Sequence, residues 1–214
     1  ARELANLRGT PTDNNILLQS TAGDAITAGS GTYNFFAGAN AGGKATTGDD
    51  NIAIGQTALA CTVTGAANIA LGKNTADALT TGACNIAIGQ NAYGTSTDGN
   101  TNIAIGLSAM AISGGVADEN IAIGNASMGT GNIAGFGNIA LGTSSLSALT
   151  SGSCNVGIGA AAADAVTTGA GNIAVGRLAF SASTDGNDNI AIGRSALAVS
   201  GGVADENIAI GKSA

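Results

Sequence analysis

Large and small apolar residues alternate in a five-residue phrase, Asn-Ile-Ala-Ile-Gly or a close variant, that the chain writes eleven times between Asn34 and Gly211. Its asparagines stand at Asn34, Asn51, Asn68, Asn85, Asn102, Asn120, Asn138, Asn155, Asn172, Asn189 and Asn207, always 17 or 18 residues apart. Alternation with period two predicts a strand rather than a helix, with Ile52 and Ile54 on one face and Ala53 on the other. Each phrase closes on a glycine, among them Gly55, Gly89, Gly124 and Gly176, a residue whose missing Cβ lets the chain turn. Three to four residues later comes a second small-apolar pair, as in Ala58-Leu59, Ala92-Tyr93, Ala109-Met110, Ala179-Phe180 and Ala196-Leu197, followed by a polar stretch. This predicts a second, shorter strand and a second turn.

So short and regular a period is the signature of a solenoid. The expected fold is all-β, a parallel β-roll (β-solenoid) of 17–18-residue coils with two short strands per coil, each pairing in parallel with its copy one coil away. With the divergent Asn15-Ile16-Leu17-Leu18 counted first, twelve coils spaced about 4.8 Å apart make a rod about 55–60 Å long. Residues 1–33 read as an N-terminal connection or cap holding that divergent coil, and residues 34–214 as the repeat domain. Within the cap, Arg2, Glu3 and Arg8 around Leu4 and Leu7 suggest a short turn of helix or a coiled connection. The asparagine column, with Asn51, Asn85, Asn120 and Asn172 among its members, is expected to form a hydrogen-bonded ladder that satisfies turn backbone groups.

A longer period lies over the short one. Residues 114–124 return unchanged at 201–211, 87 positions on, and Ser96-Thr97-Asp98-Gly99-Asn100 returns as Ser183-Thr184-Asp185-Gly186-Asn187. A block of five coils has been duplicated. Such extension suits a shaft, whose property is length, better than an active site, which needs unique residues.

Composition narrows the reading. With 35 glycines in 214 residues, 3% aromatics and no Trp or His, a conventional core of large side chains cannot be assembled, and a thin seam of Ile, Val and Leu is expected to serve. At about 25 cal/mol per Å² of buried apolar area, so small a coil barely offsets roughly 1.5 kcal/mol per residue of lost entropy. Something else must cover apolar surface. The column Ala53, Ala70, Ala87, Ala104, Ala122, Ala140, Ala174, Ala191 and Ala209 is the smooth face on which a second copy is expected to pack, giving a homo-oligomer. A net charge of −7 disfavours nucleic acid and anionic membrane surfaces as partners. No apolar run approaches 18 residues, so no membrane-spanning helix is expected, and no signal-like segment is legible. Cys84 and Cys154 share a column four coils apart, about 19 Å by strand spacing and beyond the reach of a disulfide. Cys61 lies in another column, and all three are expected as buried free thiols, with contact between symmetry-related chains as the alternative.

Several motifs imitate chemistry. Gly38-Ala39-Asn40-Ala41-Gly42-Gly43-Lys44 has phosphate-loop spacing, but Ala45 stands where the magnesium-binding hydroxyl belongs. Gly157-Ile158-Gly159 is a dinucleotide-type decoy thrown up by the glycine-rich repeat. The carboxylate pairs Asp49-Asp50, Asp118-Glu119 and Asp205-Glu206 are sequence neighbours in turns, whereas acid–base catalysis needs carboxyls converging across a cleft. The oxygen-rich turn 183–188 could offer calcium ligands, without a full calcium-loop pattern. Thr47, Thr64, Thr81 and Thr168 precede turn glycines and raise an ice-binding face, though Asp98 and Asp185 interrupt that column. No catalytic residue, metal site or cofactor is expected.

The pattern Asn-Ile-Ala-Ile-Gly-x-x-Ala-Leu, then Thr-Thr-Gly, then Asn again, resembles the repeats of trimeric fibre proteins. It is similar to the heads of YadA-like trimeric autotransporter adhesins and, closer in period, to the shafts of phage tail fibres that carry an endosialidase-type C-terminal chaperone. The resemblance covers residues 34–214 and implies a trimer of parallel, left-handed β-rolls, extracellular or on a virion surface, serving attachment. The expected function is therefore that of a non-enzymatic structural and attachment protein. Its partners would be copies of itself and a cell-surface receptor or glycan. Exposed turns supply the candidate contact points Asp98, Asn100, Asp118, Glu119, Asp185, Asn187, Asp205 and Glu206. A self-stacking extracellular filament and an ice-binding solenoid are the alternatives, and a polysaccharide-cleaving tailspike is the enzyme rival.

Overall fold

The computed structural model describes residues 7–8, 14–24, 26, 31–44, 47–61, 63–114, 117–198 and 205–214. Among them run β1 (Leu7–Arg8), β2 (Ile16–Leu18), β3 (Phe35–Ala37), β4 (Ile52–Ile54) and nine further three-residue strands at the same place in each coil, ending with β13 (Ile208–Ile210). All thirteen belong to one sheet in sequence order, and no helix occurs among the described residues. From β2 to β13 the pairing is parallel and in register, so that Ile86 faces Ile103, Ala87 faces Ala104 and Ile88 faces Ile105. The divergent coil at Asn15 thus joins the same solenoid, with Ile16 opposite Phe35. β1 pairs antiparallel with β2, Leu7 opposite Leu18. The helical turn expected there is therefore replaced, at Leu7 and Arg8, by a strand that pairs the otherwise open first edge. Arg2, Glu3 and Leu4 lie outside the described residues.

Each coil holds one strand, not two. Where the second was expected, Ala92 and Tyr93 are both fully buried, as are Ala109 and Met110, and Ala179 and Phe180. A pleated strand sends neighbours to opposite faces, so two consecutive inward side chains require a turn. The backbone makes it with left-handed residues, at Tyr93 (φ 53°), Met110 (49°) and Phe180 (50°). A further left-handed position directly precedes every ladder asparagine from Asn34 on, as at Ala67, Cys84, Thr101 and Glu119. Such conformations cost of order 1–3 kcal/mol each and persist only where the surroundings impose them. Here stacking imposes them, because the turn amides pair with neighbouring coils: Cys84 N–H donates to Ala66 O (3.0 Å) and Tyr93 N–H to Ala109 O (3.0 Å).

The strand faces are the reverse of the expected ones. Ala53, Ala87, Ala104, Ala122 and Ala140 are buried at the centre of their strands, while the flanking isoleucines point outward. Space decides this. The interior is filled from the opposite wall by Leu59, Tyr93, Met110, Met128, Leu146 and Phe180, all fully buried, which leaves room for only a methyl group from the strand. A size trade runs within coils as well: the bulky Tyr93, Met110 and Phe180 are matched three residues on by buried Ser96, Ser113 and Ser183, whereas the small Ala76 and Ala163 are matched by Leu79 and Val166. The core is therefore not an isoleucine seam, and the alanine column is not available to a neighbouring chain.

Backbone packing is tight enough to demand glycine at particular places. Gly82 would drive a Cβ into the carbonyl oxygen of Gly99 one coil on and to 2.7 Å from Leu79 Cδ1. Gly89, at φ 125°, adopts a conformation that L-residues rarely take.

Candidate functional site

Three features could carry function: a buried ladder, an exposed apolar face and a polar groove. The ladder is the expected one. Asn85 N–H and Nδ2 donate to Asn68 Oδ1 (3.0 and 3.1 Å), Nδ2 also donates to Gly99 O (2.7 Å), and Asn85 Oδ1 accepts from Asn102 N–H (2.9 Å) and Nδ2 (3.1 Å). The N–H-to-Oδ1 link runs from Asn15–Asn34 (2.7 Å) to Asn189–Asn207 (3.0 Å). Asn51, Asn120 and Asn172 take the same role, and almost every member is buried. These asparagines hold coils together and present nothing to a ligand. Gly55, Gly89, Gly124 and Gly176 form the turn column beside them, with φ between 125° and 138°.

The candidate contact turns separate into two kinds. Asp118 Oδ1 accepts from Asn100 N–H at 2.7 Å and Asp205 Oδ1 accepts from Asn187 N–H at 2.7 Å, while Asn187 Oδ1 accepts from Ala170 N–H at 3.0 Å. Asn100, Asp118, Asn187 and Asp205 thus form pieces of a second, partial ladder. Glu119, Asp185 and Glu206 are exposed and Asp98 is half-buried. No convergent carboxyl pair results, because one member of each Asp-Glu pair is held against the neighbouring coil and the other stands at a left-handed position facing solvent. Among the described residues no group of three His, Cys, Asp or Glu is placed to hold a metal ion. Thr47, Thr64, Thr81 and Thr168 are exposed.

Cysteine placement corrects the expectation of burial: Cys84 and Cys154 are exposed and Cys61 is half-buried, all as free thiols. The position before the ladder asparagine projects outward, so a thiol there meets solvent.

The apolar face was not foreseen. Its two columns sit one and three residues after each ladder asparagine, and Ile52, Ile54, Ile123, Ile158, Ile173 and Ile192 are 36–41% exposed. The alternation showed that the residues form one face, but not that the face is external.

The groove lies on the turn side of the coils, in columns six to ten residues after the ladder asparagine. One cavity of about 530 Å³ is lined by Asn40, Lys44, Thr57, Cys61, Asn74 and Asp77, and a second of about 310 Å³ continues it past Asn91, Thr95 and Ser108. Asn74 and Asp77 line both. Along one wall Thr57 Oγ1 donates to Asn74 Oδ1 (2.5 Å) and Asn74 Nδ2 to Asn91 Oδ1 (3.3 Å). Burial pushes the Asp77 carboxyl above its ordinary range, against backbone hydrogen bonds from Asp77 and Ala78 that lower it. The signal was present in the numbering, since positions 40, 57, 74, 91 and 108 are all 17 apart and all polar. Gly38 to Lys44 runs into this groove and into no helix among the described residues.

Compared with known proteins, the chain matches no family model, no curated protein and no solved structure.

Proposed function

We propose that this protein is a non-enzymatic structural and attachment protein, a homotrimeric fibre segment working outside the cell or on a virion surface. The exposed isoleucine face carries the reading. Twelve parallel strands at about 4.8 Å make a strip about 53 Å long, lined along both columns by side chains such as Ile52, Ile54, Ile123, Ile158, Ile173 and Ile192, each more than a third exposed. A contiguous apolar strip this long exceeds the largest patch of a typical monomer, about 300–600 Å², and marks an interaction surface. In a threefold arrangement the three strips face one another around the axis, so that each is covered by both neighbours together. The columns stay in register from coil to coil, so an identical rod laid parallel presents the same spacing to them. The duplicated five-coil block agrees with a shaft.

Sedimentation equilibrium with negative-stain imaging tests this. The expected result is a rod of discrete length and about 61 kDa, three times the chain mass of 20.2 kDa. Ile86→Thr, Ile88→Thr, Ile103→Thr and Ile105→Thr together keep β-branching while removing apolar surface, and should release monomers with the ladder intact. A wild-type chain that stays monomeric and folded at every concentration overturns the proposal. Threads of indefinite length would replace it with end-to-end stacking.

A further inference from the structure

We infer that the groove on the turn side is a binding site for a neutral oligosaccharide chain lying along the fibre axis. The first observation is its shape and chemistry. The groove continues over five coils, from Asn40 to Ser108, about 19 Å at the strand spacing, and its walls bring amides, hydroxyls, one ammonium and one carboxylate around a floor of small residues. A carboxamide offers donor and acceptor side by side, which matches paired sugar hydroxyls, and Lys44 and Asp77 balance each other so that no net charge selects an ionic ligand. Concave sites with a few convergent polar groups are where small ligands bind.

The second observation comes from the duplicated block, which acts as an internal control. At the 87-residue shift Asn74 corresponds to Ala161, Asn91 to Leu178 and Thr95 to Ala182. The backbone there is unchanged: Asn74 N–H donates to Gln56 O at 2.9 Å and Ala161 N–H to Thr143 O at 2.9 Å, while Asn91 N–H to Lys73 O and Leu178 N–H to Ala160 O are both 3.1 Å. The fold therefore does not require the Thr57–Asn74–Asn91 array, in contrast to the buried asparagine ladder, which both blocks keep. A polar array that the scaffold can lose without moving is free to serve a ligand. The groove also lies in different columns from the isoleucine face, so trimerisation through that face does not use its residues.

The inference deepens the attachment reading and rests on it, yet the two are tested apart. The full chain is screened on an array of neutral and acidic glycans, and the best neutral hit is titrated calorimetrically. Asn74→Ala with Asn91→Leu installs the residues of the second block, so the solenoid and its oligomeric mass should be unchanged while affinity falls at least tenfold. In a Cys84→Ser, Cys154→Ser background, the saturating oligosaccharide should slow alkylation of Cys61, which lines the groove, several-fold. Absence of any neutral hit, binding that survives the double substitution, or selective binding of acidic glycans overturns the groove inference and leaves the fibre reading standing. Loss of the oligomer with glycan binding retained does the reverse.

Discussion

Replacing Asn85 with alanine removes a side chain that serves three coils. Gly99 C=O loses its 2.7 Å donor and Asn102 N–H loses its 2.9 Å acceptor, in a place where Asn85 and Asn102 are both buried. Each backbone group left buried and unpaired costs about 1–3 kcal/mol, so the substitution should cost about 4 kcal/mol. For a chain of this length that is roughly 8–16 °C in Tm. Asn85→Asp separates the donor from the acceptor. It keeps an oxygen for Asn102 N–H but loses the N–H that faced Gly99 O and Asn68 Oδ1, and it turns a carboxylate toward two other oxygens. Desolvation and those acceptors raise the folded pKa of the new acid above its unfolded value of about 3.9. Its protonated form is then the one the fold prefers, and supplies an O–H donor. The sign follows from linkage: the stability deficit is largest at pH 8 and shrinks as pH falls through the raised pKa. Thermal unfolding of the wild type and both variants at pH 4 and 8, with exchange of the Asn102 amide, measures this. An Asn85→Ala cost below about 1 kcal/mol, or an Asn85→Asp deficit equal at both pH values, would refute the ladder as the main tie between coils.

Gly82→Ala should be severely destabilising, because its Cβ meets the Gly99 carbonyl and Leu79, whereas Gly137→Ala should cost only the left-handed backbone preference, about 1–2 kcal/mol, since at φ 66° its Cβ has only Cys154 Sγ at 3.8 Å and Ala67 already occupies the same left-handed column; comparative denaturant melts distinguish them. Tyr93→Phe should cost no more than about 1 kcal/mol, because Asn102 Nδ2 keeps Ala117 O and Asn85 Oδ1 when the phenol oxygen goes, and Phe180 fills the matching place in the second block. Burial pushes the Tyr93 phenol up to about 12, so the wild type should lose stability as pH climbs from about 10 to 12 and Tyr93→Phe should lose less, as read from alkaline melts. Asp164 is held above its ordinary range by burial and has one buried carboxyl oxygen without a hydrogen-bond partner. Asp164→Asn should therefore raise Tm at pH 7, with the gain fading at pH 3 where the wild-type acid is protonated in both states.

The isoleucine face and the groove show why function was harder to read than fold. Alternation put Ile52 and Ile54 together, but period two is symmetric and does not say which face is wet. The polar array at 40, 57, 74, 91 and 108 keeps the same 17-residue register as the buried ladder, and nothing in spacing tells a buried column from an exposed one. Among the candidate turn residues, Glu119 and Glu206 are exposed, while Asp118 and Asp205 accept hydrogen bonds from the neighbouring coil.

By itself the sequence determined the period, the place of each strand, the parallel in-register stack and the asparagine ladder, because these depend on recurrence and on backbone hydrogen bonding that every coil repeats. Only the tertiary structure decided what faces inward. The coil is so narrow that Tyr93, Met110 and Phe180, reaching across from their turns, leave the strand room for alanine alone. That one steric limit turns the isoleucines outward, reduces the second strand to a left-handed turn, and gives the protein an apolar face to cover.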